Sequence, residues 1–322
     1  MTETVVSIHE PASEGPEAGD PAASVDSKAG SIARAIARVT AGSSAISMPK
    51  LEQQHFVAQA RALRVKVPVA SASWVELGRE GRDDQPLLRV RLPSEGAEVA
   101  AALAPDGTVT YAGALSETDL AVQTLTDGVR LQTVIQGPGA PTEFVYAMDL
   151  PAGSRMVKDN GGGIAILDEQ NAFVRGVAPP WAFDRMHQPV PTHYELVDDA
   201  IVQVVAHDAP GFAYPIVADP WLGEDLIDHA TWQYVSNGWI MHVYPTGWAK
   251  VWGGYLPAAA GWDELYERYR GGLTTNLGSM RNQYICHHML STGGIFGGDT
   301  WDLEEWVPDV GLSRFMLNGC NP

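Results

Sequence analysis

The residues best suited to chemistry lie near the end of the chain, in the segment Ser279-Met-Arg-Asn-Gln-Tyr-Ile-Cys-His-His288. His287 could act as a general base, and the side-chain amides of Asn282 and Gln283 could stabilise an oxyanion. On a helix, Gln283 and His287 share a face because they are four residues apart. We favour the alternative interpretation, in which both amides satisfy backbone groups and one of the two adjacent histidines is buried while the other is exposed.

Aromatic side chains form a second candidate site. Residues 221–322 contain eight of the ten tryptophans of the chain. Trp248, Trp252 and Tyr255 lie in a glycine-rich stretch and could stack on the sugar rings of a cell-envelope glycan. They could equally fill the core of a small domain. The pattern therefore predicts either an exposed glycan-binding surface or an aromatic core.

Asp225, Asp228 and His229 form a third cluster of titratable residues. The run Asn160-Gly-Gly-Gly163 is typical of a flexible turn, since it lacks the Lys-Ser/Thr of a phosphate-binding loop. Neither a CxxC nor an HxxxH spacing accompanies the cysteines, which disfavours zinc. We therefore expect no cofactor and no metal.

Cys286 and Cys320 are the only cysteines of the chain. Their presence in one small C-terminal unit favours a single disulfide formed in an oxidising compartment, with two unrelated free thiols as the alternative. The N-terminus does not look like a secretory signal, because Glu3 and Glu10 stand where a basic region belongs and no apolar region follows. We expect an extracellular protein whose export route the sequence does not reveal.

The net charge of −18 restricts the possible partners. A chain this acidic is repelled by phosphate backbones and anionic lipids, which argues against nucleic acid and membrane surfaces. No stretch approaches the ~20 apolar residues of a membrane-spanning helix. Residues 221–322 carry five basic and eleven acidic residues, whereas a nuclease domain would be expected to be basic.

The N-terminal part divides into a disordered segment and a helical lead-in. Residues 1–26 are rich in Pro, Glu, Ala, Gly and Ser and have few apolar anchors, which predicts disorder. Residues 27–66 are predicted to be helical in two pieces, because apolar residues recur at helical spacing. The residues at this spacing are Ile32, Ile36 and Val39 in the first piece, and Leu51, His55, Phe56 and Leu63 in the second.

Residues 67–220 are predicted to form a β-rich, sandwich-like domain. Short runs that mostly alternate apolar and polar residues are separated by Gly- and Pro-rich turns. Asp127-Gly128, between two such runs, is a strong hairpin signal. The predicted strands are Leu87–Leu92, Val109–Tyr111, Leu120–Leu125, Val129–Ile135, Glu143–Met148, Gly163–Leu167, Thr192–Val197 and Ala200–Val205.

The β-rich region resembles segments of secreted actinobacterial proteins, including segments that precede the variable C-terminal domains of polymorphic toxins. The resemblance rests on Leu150-Pro-Ala-Gly153, Val177-Ala-Pro-Pro-Trp-Ala-Phe-Asp184, Val190-Pro-Thr192 and above all Tyr214-Pro-Ile-Val-Ala-Asp-Pro220. It covers about a third of the chain and implies a secreted carrier of a C-terminal domain.

Residues 221–322 are predicted to form a smaller α+β domain, so that the whole chain is α+β. Ser236-Asn-Gly238 predicts a hairpin between two aromatic-rich strands. Helices are predicted over Gly261–Arg270, from about residue 276 or 279 to Leu290, and over Leu312–Asn318.

This last domain resembles a family of actinobacterial C-terminal domains known as domain of unknown function 2599. The matching stretches are Arg281-Asn-Gln-Tyr-Ile-Cys-His287, Thr300-Trp-Asp-Leu-Glu304, Pro308-Asp-Val310 and Cys320-Asn-Pro322. The resemblance implies a secreted protein with a Cys286–Cys320 bond and implies no reaction.

Two functions follow as hypotheses. The C-terminal domain binds an extracellular protein partner or an envelope glycan, or the protein is a secreted effector of the toxin type, not a nuclease, with His287 as general base. We favour binding as the more modest hypothesis.

Overall fold

The structure is a computed structural model that describes residues 21–40, 45–60, 63–79, 88–96, 98–291 and 298–322. The predicted disorder of residues 1–20 lies outside these ranges. Residues 21–26 were predicted to be disordered but belong to the first helix, α1 (Pro21–Val39). The helix begins there because proline is tolerated in a first helical turn and the residues that follow are mostly Ala and Ser.

α1 confirms the first half of the predicted helical lead-in. Its residues Ile32 and Ile36 are buried against Ala121, Val134 and Val217 of a β-sheet. The second half of the prediction is wrong, because residues 50–68 form strands. Leu63, Val65 and Val67 alternate with Arg64 and Lys66, and this two-residue period suits a half-buried strand rather than a helix.

Among the described residues, the strands form three sheets with antiparallel pairing. The first sheet has eight strands in the order β1-β2-β3-β4-β5-β10-β16-β15. These are β1 (Lys50–Glu52), β2 (His55–Ala60), β3 (Leu63–Pro68), β4 (Trp74–Arg79), β5 (Leu88–Arg91), β10 (Glu143–Asp149), β15 (Thr192–Val197) and β16 (Ala200–Val205).

The second sheet has ten strands in the described residues, eight of them in the order β11-β12-β13-β18-β9-β8-β7-β6, with β17 beside β9 and β14 beside β17. They are β6 (Ala102–Leu103), β7 (Val109–Leu115), β8 (Thr118–Leu125), β9 (Gly128–Ile135), β11 (Arg155–Lys158), β12 (Ile164–Leu167), β13 (Phe173–Val177), β14 (Ala182–Phe183), β17 (Ile216–Ala218) and β18 (Trp221–Gly223). β8 and β9 form the predicted hairpin, in which Leu125 pairs with Gly128.

The two sheets pack face to face and form the predicted sandwich. One core cluster contains Val65, Val90 and Phe144 of the eight-stranded sheet together with Leu120 and Leu131 of the ten-stranded sheet, all buried. Every residue of β8 and β9 is buried. The outer face of the ten-stranded sheet is therefore covered as well, by α1 on one part and by the C-terminal domain on another.

The C-terminal domain packs helices on one face of a three-stranded sheet of order β19-β20-β21. Its strands are β19 (Ile227–Val235), β20 (Gly238–Pro245) and β21 (Trp301–Glu304), and its helices are α2 (Gly247–Val251), α3 (Tyr255–Tyr269), α4 (Leu277–Ser291) and α5 (Leu312–Leu317). β19 and β20 form the predicted hairpin, in which Val235 pairs with Gly238. Across the described residues, no helix is long and apolar enough to cross a membrane.

A disulfide joins α4 to the C-terminal tail. Cys286 and Cys320 are bonded, with their Cα atoms 5.5 Å apart, which confirms the predicted pair. Both are buried in a small cluster with Phe315 and Val307. The positive φ of Gly319 (62°) turns the chain after α5 and brings Cys320 back towards α4.

Candidate binding cleft

A cleft of about 710 Å³ lies between the sandwich and α3. The sandwich contributes the hairpin between β12 and β13, the C-terminal domain contributes the first three turns of α3, and the chain that joins the two domains closes one end. The lining residues are Leu167, Asn171, Ala172, Phe173, Val174, Glu224, Asp225, Tyr255, Leu256, Ala259, Ala260, Asp263 and Glu264.

The back wall of the cleft is apolar. Phe173 lies with its ring centroid 6.4 Å from that of Trp248 and 5.9 Å from that of Trp252, so the wall continues into the buried core between the domains. Leu256 and Ala260 of α3 pack against the same core. Small residues at the start of α3 let the helix approach the sheet while leaving a concave surface.

Glu224 is held in place by a buried arginine. Nη2 of Arg175 donates to Oε2 of Glu224 at 2.9 Å, and the side chain of Arg175 is only 2% exposed. A guanidinium this deep is tolerated because it is paired with a carboxylate. The pair fixes one carboxylate at the junction of β18 with the C-terminal domain.

Arg268 holds two further carboxylates at the same end of the cleft. Its Nη2 lies 3.0 Å from Oδ1 of Asp225 and 2.9 Å from Oε1 of Glu264. Glu264 also accepts hydrogen bonds from the backbone N–H groups of Leu226 (2.7 Å) and Ile227 (3.2 Å). Burial raises the pKa of Glu264 to about 7, although Arg268 opposes the shift. Glu264 therefore ties α3 to the chain between the domains.

The rim of the cleft is more open and also acidic. Tyr255 is 52% exposed, and Asp263 is exposed one turn before Glu267 on α3. The lining carries four carboxylates, and Arg175 and Arg268 are engaged with three of them. Two further arginines bond to other lining residues, Arg155 to Asn171 and Arg281 to Tyr255. The exposed Asp263 places a negative charge at the rim, beside the apolar wall. Such a surface is complementary to a cationic group carried on an apolar stem.

Trp248 and Trp252 lie in the core, and the expectation that they are exposed to a glycan is wrong. Both side chains are completely buried. Trp248 donates from Nε1 to the carbonyl oxygen of Trp221 (3.1 Å), and Trp252 donates from Nε1 to Oδ2 of Asp159 (2.6 Å). They are buried because they dock the C-terminal domain on the ten-stranded sheet. Of the three predicted aromatics, Tyr255 alone reaches the cleft.

Glycines of the sandwich make room for the two indoles. A Cβ atom on Gly223 would lie 2.6 Å from Cε2 of Trp248, and one on Gly176 would lie 2.5 Å from Cη2 of Trp252. Gly176 and Gly223 are direct partners across β13 and β18. The two domains are thus fitted to each other at this contact.

His287, Gln283 and Asn282 do not converge on one site. Gln283 donates to the carbonyl oxygen of Glu304 (2.9 Å) and accepts from its N–H (2.8 Å), while Asn282 donates to Asp309 (2.8 Å). His287 is half-buried, and burial lowers its pKa despite the nearby Asp302. The amides thus hold neighbouring segments against α4.

His288 is the buried member of the histidine pair. Its Nε2 donates to the carbonyl oxygen of Trp252 at 2.9 Å, and its ring lies 5.0 Å from that of Trp301. Burial lowers the pKa of His288 to about 4, so the ring is neutral at physiological pH. It connects α4 to the segment that docks on the sandwich.

Asp225 is separated from Asp228 and His229. Asp225 faces the cleft, whereas Nδ1 of His229 lies 3.2 Å from Oδ2 of Asp228. The ring of His229 stacks on Tyr244 at 4.0 Å. Among the described residues, no group of three or more His, Cys, Asp or Glu side chains could hold a metal.

Sequence reasoning missed Phe173, Glu224, Asp263 and Glu264. The adjacent acidic pair at positions 263 and 264 on a predicted helix was the available signal. Phe173 begins β13 and Glu224 follows β18, 51 residues later, and only the packing of the sheet against α3 brings them to one cleft.

Comparison with known proteins places the C-terminal domain. The profile of the family described as "Protein of unknown function (DUF2599)" matches residues 227–322. Uncharacterised proteins of Mycobacterium tuberculosis and Mycobacterium bovis are 30% identical over 118 residues, which is 33% of this chain and 78% of each relative. The resemblance of residues 111–220 to secreted actinobacterial proteins stays a prediction. Through its C-terminal domain, the chain belongs to the family of proteins of unknown function 2599.

Proposed function

We propose that this protein is an extracellular binding protein whose cleft receives a basic segment of a partner protein. The observation that carries the proposal is the composition of the cleft, an apolar wall edged by Glu224, Asp225, Asp263 and Glu264. Lysine and arginine side chains match such a surface because their stems are apolar and their ends are cationic. The net charge of −18 would attract a basic partner over a distance.

The extracellular location is part of the proposal and is supported by the disulfide between Cys286 and Cys320. Structural disulfides are rare in reducing cytosols. The location is tested by fractionating the producing cells and measuring thiol alkylation by mass spectrometry. A protein found only in the cytosol with both cysteines alkylated would contradict it.

The geometry supports binding better than the alternative of an enzyme with His287 as general base. Gln283 has both amide atoms bonded to the backbone of Glu304, and Asn282 is bonded to Asp309. The two amides and His287 therefore do not converge on one position at which a developing oxyanion could be stabilised.

Binding can be tested with simple probes on the full, oxidised chain. Calorimetric titration would compare an octalysine peptide, the same peptide with acetylated side chains, and a soluble N-acetylglucosamine oligomer. We expect the charged peptide alone to bind, and its affinity to fall as salt rises. If only the glycan binds, the ligand is an envelope glycan and not a basic segment.

A matched pair of variants on α3 places the binding in the cleft. Asp263→Asn removes an exposed carboxylate of the cleft lining, while Glu267→Gln removes an exposed carboxylate from the same helix outside the lining. An exposed ion pair contributes about 0.2–1 kcal/mol, so the first change should weaken binding by roughly 1.5- to 5-fold. Equal effects of the two variants would show that the cleft is not the site.

A further inference from the structure

A groove of about 270 Å³ lies between α1 and the ends of β9 and β17, and we call it the α1 groove. α1 forms one wall, while Gln136 after β9 and Pro215 before β17 form the other. The groove shares no lining residue with the cleft between the domains. Lys28, Arg34 and Arg38 line it, and in the part of the chain that the structure describes no acidic residue does.

The basic lining of the α1 groove is unusual for so acidic a chain. Residues 28–38 carry three basic side chains and no acidic one, whereas the whole chain has 39 acidic and 21 basic residues. Six arginines elsewhere in the described ranges pair with a carboxylate, but within those ranges Arg34 and Arg38 form no such pair. They lie one turn apart on α1, where like charges weaken a helix. An anion from outside would balance both.

A buried carboxylate beneath the groove fixes two of its hydrogen-bond donors. Oδ2 of Asp119 accepts from Nζ of Lys28 at 2.9 Å and from Nε2 of Gln136 at 2.7 Å. Its Oδ1 accepts from the N–H of Gly113 at 2.7 Å, and Asp119 is only 2% exposed. An ammonium group has three donors and an amide nitrogen has two. Lys28 and Gln136 therefore keep further N–H groups for a ligand while their positions are held.

The guanidinium group of Arg34 is held in the same way. Its Nη2 donates to Oγ of Ser31 at 3.0 Å, and its Nη1 lies 3.2 Å from the position that a Cβ on Gly30 would take. The side chain therefore runs back along α1 towards Lys28, as long side chains on helices do. A guanidinium group has five N–H donors, so most of those on Arg34 remain for a ligand.

We propose that the α1 groove binds a phosphate monoester. Lys28, Arg34 and Arg38 with the single carboxylate of Asp119 leave an excess of two positive charges. A phosphate monoester carries about −1.5 to −2 at pH 7 and offers three strong acceptor oxygens, whereas a carboxylate ligand carries one charge. The planar guanidinium groups can each donate two parallel hydrogen bonds to phosphate.

The net charge of −18 does not prevent this binding. Screening limits the reach of exposed charges to about 8 Å at physiological salt, so a ligand in the groove interacts chiefly with the side chains that line it. The overall charge lowers the rate at which an anion approaches. The affinity depends on the donors that the groove holds ready.

An NMR titration of the full, oxidised, ¹⁵N-labelled chain tests the proposal. Glycerol 3-phosphate should bind in the millimolar range and shift the Nε–Hε signals of Arg34 and Arg38. Dimethyl phosphate and acetate carry one charge each and should bind several-fold more weakly. Failure of glycerol 3-phosphate to bind, or equal binding of all three anions, would overturn the proposal.

A matched pair of variants places the binding in the groove. Arg38→Gln removes one cation of the lining, while Arg314→Gln removes an exposed arginine from α5 and changes the net charge equally. The first change should weaken binding roughly 3- to 10-fold, and the second should leave it unchanged. Arg38→Lys keeps the charge without the planar fork and should give an intermediate affinity. Equal effects of Arg38→Gln and Arg314→Gln would show that the overall charge, and not the groove, governs binding.

Co-sedimentation with vesicles identifies the source of the phosphate monoester. Phosphatidic acid carries this group on a lipid, so vesicles that contain it are compared with vesicles of phosphatidylcholine alone. Binding to the first vesicles that glycerol 3-phosphate competes away assigns a lipid headgroup, and binding of glycerol 3-phosphate alone assigns a soluble ester. Vesicle binding that Arg38→Gln leaves unchanged would contradict the role of the groove.

Discussion

Gly176→Ala should destabilise the protein, because the added methyl group would occupy the space of the Trp252 ring. A Cβ at this position would lie 2.5 Å from Cη2 of Trp252, whereas carbon atoms in contact are ~3.5–4.0 Å apart. Gly176 lies within β13 between Ala165 and Gly223 on the neighbouring strands, so the backbone has little room to retreat. The indole has to move away from Asp159, to which it donates at 2.6 Å.

The size of the expected loss in the free energy of unfolding follows from how much of the Trp252 side chain is buried. A tryptophan side chain buries ~150–250 Å², which corresponds to about 4–6 kcal/mol at ~25 cal/mol per Å². Truncation of a buried tryptophan costs ~3–5 kcal/mol, and overpacking costs ~1–3 kcal/mol. We expect Trp252→Ala to lower the free energy of unfolding by about 4 kcal/mol and Gly176→Ala by about 3 kcal/mol.

The double variant gives the decisive comparison, because both changes disrupt the same contact. Gly176→Ala with Trp252→Ala should cost about 4 kcal/mol in total rather than the sum, since the methyl group then enters a space that the indole has left. Urea unfolding followed by far-ultraviolet circular dichroism measures all three free energies. Additive costs, or a Gly176→Ala cost below about 0.5 kcal/mol, would refute the fit between glycine and indole.

Gly271→Ala is the matched control. An added Cβ there would have no atom within 4 Å, and its φ is not in the left-handed region. The change should leave stability unchanged or raise it by up to ~1 kcal/mol.

Three further predictions concern single contacts in the C-terminal domain. The pKa of His288 is lowered to about 4 in the folded protein, so on acidification the unfolded chain takes up the proton at a higher pH than the folded chain does. The free energy of unfolding should therefore fall by ~3 kcal/mol from pH 7 to pH 4. Urea titrations at several pH values should show a smaller fall for His288→Gln, and the same fall in both proteins would contradict this. Reducing the bond between Cys286 and Cys320 should lower the free energy of unfolding by ~3–4 kcal/mol in the chain-entropy model. Denaturation with and without reductant measures this change, and an unchanged unfolding midpoint would argue against it. The hydroxyl of Thr246 accepts a hydrogen bond from the N–H of Ala249 at 3.1 Å and caps the start of α2. Thr246→Ala should lower the free energy of unfolding by ~0.5–2 kcal/mol in thermal unfolding. A smaller loss of stability would show that the cap contributes little.

Elements governed by short-range signals were predicted well. Asp127-Gly128 and Asn237-Gly238 marked two hairpins that the structure contains. The strands Thr192–Val197 and Ala200–Val205 were predicted with the bounds that they have. Each signal depends on a few neighbouring residues, namely turn chemistry or an alternation of period two, and needs no knowledge of distant parts of the chain.

The prediction of a helix in the second half of the lead-in failed because two periodicities compete in that stretch. Leu51 and His55 are four residues apart and Phe56 and Leu63 are seven apart, as in a helix, but Leu63, Val65 and Val67 alternate as in a strand. Pairing of β2 with β3 and β4 decided in favour of strands. A single sequence cannot weigh that pairing, because the stabilising contacts lie on other strands.

The sequence by itself determined the α+β class, the acidic character, the disulfide pair and most local elements of the C-terminal domain. Only the tertiary structure decided that Trp248 and Trp252 are core residues and that Tyr255 reaches a cleft. The reason is that exposure depends on which surfaces meet. Gly176 and Gly223 receive the indoles from a domain that lies far away along the chain, and the cleft carboxylates come together only when that docking has occurred.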